Sequence, residues 1–138
     1  MTNIDSYQNT ILSTAQCLFR PSKVLPFVRH RIELSKDAID LFEENDFDLL
    51  RGGKIMNYGV PSFKFEITPI FYVIDTKLKH NRKHRGFHRV TFYDGVNNEH
   101  FSVFYTSKEK SSFKSLLKNL KHLGIKVIFT SLNASFLY

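Results

Sequence analysis

Phe113, Leu116, Leu117, Leu120 and Leu123 recur at three- and four-residue steps, the spacing that puts side chains on one face of a helix. Thr106 followed by Glu109 matches a capping box at its start, and Gly124 supplies a stop at its end. A helix with one apolar stripe has to lay that stripe on another layer of structure. The nearest partners are extended segments: Val90 and Phe92, then Phe101, Val103 and Tyr105, alternate with more polar residues on either side of Asp94-Gly95, the signature of a hairpin.

Further extended segments precede and follow that pair. Phe63, Phe65 and Ile67 alternate, Pro69 interrupts, and Ile70 to Ile74 is continuously apolar, which predicts one strand with a bulge or bend. Ile125 to Thr130 alternates like a further strand, and Val28, His30 and Ile32 alternate with Arg29, Arg31 and Glu33 in a short extended piece after the loop around Pro21 and Pro26. Two more helices are expected. Tyr7, Ile11, Ala15 and Leu18 suggest one from Asp5 to Phe19, ended by Pro21. Ser35 is placed to cap another, with Ala38, Leu41 and Phe42 on its buried side and Gly52-Gly53 at its end. The predicted fold class is α+β: an antiparallel sheet of about four strands with two to three helices packed on one face, in a single domain over residues 1–138.

Charge narrows the partners. The net charge is +7, and it is unevenly spread. Residues 36–51 hold six acids (Asp37, Asp40, Glu43, Glu44, Asp46, Asp48) against two bases, so the surplus of cations has to lie elsewhere. Thr76 to Arg89 carries Lys77, Lys79, Arg82, Lys83, Arg85 and Arg89 with no acid. A second cluster, Lys110, Lys114, Lys118 and Lys121, falls within one sector of the late helix, beside its apolar stripe. A surface so charged attracts polyanions, and each phosphate neutralised releases counterions. The expectation is a small basic protein that binds nucleic acid, DNA or RNA, or a nucleoprotein complex, with the basic hairpin and the lysine helix forming one positive face against the phosphate backbone. Lysine offers a point charge without bidentate geometry, so any reading of sequence would fall to Arg29, Arg31, Arg82, Arg85 or Arg89.

The order helix, three strands, helix, with Lys108, Lys110 and Lys114 at the start of the last helix, is similar over about half the chain to a double-stranded-RNA-binding domain, a family that presents lysines there to phosphates. Where that family carries Gly-Pro-x-His, this chain has Gly86-Phe87-His88, and its helix lacks an alanine-rich packing face, so membership is not inferred.

Rival readings rest on individual residues. A protein-binding inhibitor or adaptor of the kind phages and mobile elements encode would use the acidic stretch Asp37 to Asp48 to imitate a phosphate backbone, with some of the fourteen Phe anchoring the contact. A small metal-dependent nuclease would use Asp75-Thr76-Lys77 as an acid-x-Lys strand end, with Glu66 or an acid of the second helix as the other carboxylate. A metal-independent ribonuclease, similar to the small basic toxins that resemble RelE, would take His88 or His100 as base and Tyr93 or Tyr105 to position the substrate. None of these supplies an assigned catalytic residue. His80, His84 and His88 would share a face only on a helix, which Asn81 and Gly86 disfavour, so neither metal nor cofactor is expected. The single cysteine, Cys17, allows no intrachain disulfide and reads as a buried small hydrophobe. No apolar run approaches the roughly 20 residues that span a bilayer and no secretory signal is evident, so the expected location is cytoplasmic, away from membranes.

Overall fold

The computed structural model describes residues 10–44, 61–78, 87–96 and 98–132. In chain order they form β1 (Ser13–Phe19), β2 (Val28–Leu34), β3 (Ala38–Glu43), β4 (Phe63–Glu66), β5 (Ile70–Leu78), β6 (His88–Asp94), β7 (Glu99–Tyr105), α1 (Lys110–His122) and β8 (Lys126–Leu132). The strands make one mixed sheet in the order β4-β3-β2-β1-β7-β6-β5-β8.

The hairpin around Asp94-Gly95 forms as its alternation implies, with Val90 opposite Val103 and Phe92 opposite Phe101. Asp94 organises the turn: its Oδ1 accepts from the backbone N–H groups of Val96 and Asn98, both at 2.9 Å, the local pairing for which Asp is favoured in turns. Gly95 leaves room for a close approach, since a Cβ there would lie 3.0 Å from the ring of Phe71 and push that exposed side chain aside. The helix also follows its sequence signals. Thr106 and Glu109 complete the capping box at a short 3-10 turn, Ser107–Glu109, that runs into α1. Phe113, Leu116, Leu117 and Leu120 are buried, and Gly124 takes the left-handed conformation (φ 91°) that ends a helix with least strain in glycine.

Elsewhere the structure corrects the expected architecture. The sheet has eight strands rather than about four, and α1 is the one α-helix among the described residues rather than one of two or three. Residues 13–19 are a strand, with Ser13, Ala15, Cys17 and Phe19 buried at a period of two. That period coexists with the helical spacing of Ala15 and Leu18, and pairing with β2 decides between them. Residues 38–43 are likewise a strand. Ser35 caps a tight turn instead of a helix: its hydroxyl bonds to both the N–H and the C=O of Ala38, joining β2 to β3. Both faces of β3 are covered. Ile39 and Leu41 enter the core, and on the opposite side the Arg31 guanidinium lies 4.4 Å from the centroid of the Phe42 ring. A strand covered on both faces loses its alternation and imitates a helix.

The stretch around Pro69 holds two strands, not one with a bulge. β4 lies at one end of the strand order, and β5 is seventh along it. Six strand spacings of about 4.8 Å make nearly 29 Å, whereas the connection from Glu66 to Ile70 reaches at most about 14 Å. The sheet therefore has to curl, bringing β4 back towards β7. The ring contacts show it: Phe65 of β4 stacks on Phe101 of β7 at 3.9 Å, and Phe63 meets Phe19 of β1 edge to face. Inside the curl lies the core, built from Ile32, Leu34, Val73, Val90, Phe92 and Val103 and closed by α1. β8 departs from the antiparallel expectation too, since it pairs with β5 in parallel, Asp75 opposite Phe129. Among the described residues no helix is long and apolar enough to cross a membrane.

Candidate functional site

Val73 and Val90 face the core, and the alternation of a strand carries the next residues of that face, Asp75 and His88, to its edge, where α1 begins. Register supplies the third member, because His88 lies opposite Tyr105 in β7. Asp75 is 2% exposed, yet both carboxylate oxygens are occupied: Oδ1 lies 2.7 Å from His88 Nδ1, and Oδ2 accepts from the Tyr105 hydroxyl at 2.6 Å. This full pairing is what makes a carboxylate tolerable in such a place. Burial, and then the hydrogen bond and charge of Asp75, push the Tyr105 hydroxyl pKa well up, so the phenol stays protonated and donates. The rings are clamped as well. His88 stacks on Tyr105 at 4.6 Å and Tyr105 on Phe113 of α1 at 4.2 Å.

A carboxylate only accepts, so His88 Nδ1 carries the hydrogen towards Asp75. Nε2 is then the nitrogen left for other chemistry, and it has no hydrogen bond among the described residues. His88, Asp75 and Tyr105 form part of the lining of a cavity of about 470 Å³ between α1 and the sheet. Lys110, Lys114, Lys118 and Lys121 line it from the helix, and Phe129 of β8 from the far side. An adjoining recess of about 340 Å³ shares Asp75, His88 and Phe129 and adds Lys77, Thr130 and Ser131. Asp75 is the sole carboxylate lining either space among the described residues, so the groove carries five ammonium groups facing one fully paired acid.

Solved structures similar to this chain include the following two. One is the C-terminal domain of an unknown protein from Leishmania infantum, at TM-score 0.54 and 9% identity, covering 85% of this chain and 89% of that one. The other is the Slm1-PH domain, solved in complex with D-myo-inositol-4-phosphate, at TM-score 0.48 and 19% identity, covering 83% and 95%. The likeness is one of fold. No family model and no curated protein sequence matches the chain.

Of the ten residues singled out for nucleic acid, five meet in this groove: Lys77 and the four lysines of α1. Arg89 does not join them. It projects from the opposite side of β6 to His88 and lines a separate groove of about 430 Å³ with Arg20, Phe27 and Phe104. Lys79, Arg82, Lys83 and Arg85 lie outside the described residues, as do His80, His84, Asp46 and Asp48. Arg31 is engaged with Glu33 at 2.7 Å and with the Phe42 ring, and Arg29 donates to Gln16.

The residues weighed for nuclease chemistry separate in the same way. His88 and Tyr105 come together, whereas His100 sits 4.0 Å from Asp94 near the hairpin turn and Tyr93 stacks on Tyr72. Glu66 lies opposite Ala38 on β4 and lines neither of the two spaces that Asp75 lines, so it gives Asp75 no second carboxylate there. No group of three His, Cys, Asp or Glu side chains that would hold a metal ion occurs among the described residues. The acidic stretch weighed as a phosphate mimic is no helix in its described part, which is β3 with Asp37 before it and Glu44 after it. Sequence reasoning misses Phe129. A signal for it exists, a bulky aromatic placed two residues beyond the core-facing Val127 in the last strand.

Proposed function

We propose that this chain is a nucleic-acid-binding domain that holds the phosphate backbone in the groove between α1 and the ends of β5, β6 and β8. The coarser part of the reading, affinity for phosphate groups, is supported by a single observation: Lys110, Lys114, Lys118 and Lys121 line one cavity whose single acid among the described residues, Asp75, is already fully paired. Exposed ammonium groups that converge without carboxylate partners are the arrangement that phosphates neutralise, with release of counterions from the nucleic acid. His88 Nε2 adds a hydrogen-bonding atom whose orientation is held by Asp75. Lys79, Arg82, Lys83 and Arg85 enter the proposal through sequence alone, as the connection between Lys77 and His88, two residues of the groove. The finer part, a nucleic acid in preference to a small phosphorylated molecule, is favoured by the length of the cationic row, which runs along three turns of α1 and continues to Lys77.

The test is fluorescence anisotropy with labelled single- and double-stranded DNA and RNA across a salt series. Log affinity is expected to fall linearly with log salt. Replacing both Lys114 and Lys118 with alanine should weaken binding uniformly across sequences. It should also reduce the steepness of that line by roughly two, at about 0.9 for each phosphate no longer neutralised in B-DNA and about 0.7 in single strands. Both side chains are exposed, so the fold should persist. An unchanged affinity in the double variant sinks the proposal. Retention of inositol phosphates without any polymer binding would move the site to small phosphorylated ligands.

A further inference from the structure

We infer that the groove is built for a single strand, with one unpaired base laid on the ring of Phe129. This rests on the nucleic-acid reading and specifies the class of ligand. Phe129 is 61% exposed, an unusual condition for a Phe in a strand whose own Val127 packs on the core. Its neighbours give the exposure a direction. The ring lines both the main cavity and the adjoining recess, and Lys121 Nζ lies 5.7 Å from its centroid. Across the parallel pairing it stands beside Asp75, so Phe129, Asp75 and His88 form a continuous floor beneath the lysines.

A nucleotide presents two chemistries at once, an anionic phosphate and a flat aromatic face. The cavity offers a counterpart to each. The ammonium groups on α1 suit the phosphate, and the open face of Phe129, with Leu117 also lining the space, suits the base. In a duplex every base face is covered by its neighbours, so the ring would gain nothing from double-stranded ligand. Stacking on an aromatic is indifferent to which base is offered, so the expected preference is for strandedness, not for sequence.

The chain contains no tryptophan. Phe129→Trp therefore installs a unique fluorophore at the proposed contact, on an exposed position that need not repack. Its emission should be quenched when a single-stranded oligonucleotide binds, and unchanged when the same strand carries abasic residues. In anisotropy, Phe129→Ala should lose roughly tenfold in affinity for single strands, within the range that aromatic-to-alanine substitutions at stacking sites show. Phe129→Tyr should restore it, and the dependence on salt should be the same in all three proteins because no charge has changed. The inference is overturned if Phe129→Ala binds single strands as tightly as the parent. A loss equally large on the abasic strand, or a duplex bound as tightly as a single strand, would overturn it too. If the parent binds no nucleic acid at any salt, it is the underlying reading that has failed, a different and distinguishable result.

Discussion

Phe113→Ala is expected to destabilise the protein by about 3–5 kcal/mol, the range for truncating a fully buried Phe. The side chain is completely inaccessible and lies at the start of the apolar stripe of α1. Two losses combine there. Removing the ring opens a cavity between helix and sheet, and it also withdraws the face on which Tyr105 stacks at 4.2 Å. Tyr105 in turn fixes one oxygen of Asp75, so the disturbance should reach the groove as well as the core. Urea denaturation would show a lower midpoint with an unchanged slope. Phe113→Leu, which keeps most of the volume, should cost appreciably less. A small effect of the alanine variant would mean that α1 is not packed on the sheet as described.

Asp75→Ala should cost about 3 kcal/mol or more, the sum of two orphaned donors. The carboxylate is buried and accepts two short hydrogen bonds, one from a phenol whose ionisation burial opposes. Its removal leaves the Tyr105 hydroxyl and His88 Nδ1 facing space that they cannot satisfy, and orphaned buried donors carry the full cost of desolvation. Asp75→Asn should be milder but not neutral. Its amide oxygen can still accept from Tyr105, while its NH2 would face Nδ1 and favour the tautomer with the hydrogen on Nε2. Tyr105→Phe removes a single hydroxyl and should cost about 1–2 kcal/mol. A double-mutant cycle between Asp75→Ala and Tyr105→Phe, each of which removes the contact outright, then isolates their coupling, which should be clearly non-zero because the hydroxyl donates directly to the carboxylate. Additive effects would show that the short contact contributes no stability.

The parts of this architecture that can be read from sequence are those where one face meets the core and the other meets water. The β6–β7 hairpin and α1 satisfy that condition, so their alternation and stripe are legible, and Thr106, Glu109 and Gly124 mark the helix ends by local hydrogen bonding alone. β3 fails it, whereas β1 meets it and is obscured by a competing period. Ala15 and Leu18 fit helical spacing as well as Ala15, Cys17 and Phe19 fit a strand, and Arg31 covers the outer face of Phe42. The site divides along the same line. The lysine sector follows from helical geometry, and Asp75, His88 and Tyr105 each stand out by residue type. Their meeting does not, because it spans 13 residues in one contact and 30 in the other and depends on strand register. Proximity in the chain groups Arg89 with the lysines, but a strand sends adjacent residues to opposite faces, and His88 holds the groove side.

Cys17 gives the molecule an internal reporter. It is the only thiol in the chain, it lies on the core side of β1, and burial pushes its pKa well up, reinforced by the charges of Glu44 and Glu109. Only the thiolate is a competent nucleophile towards alkylating and disulfide reagents, so the folded protein should be nearly inert to them. Every modification event therefore records a moment when β1 has left its neighbours. Labelling rates would then report opening of the sheet without any added probe, and a ligand held between α1 and the sheet should slow them in proportion to its occupancy.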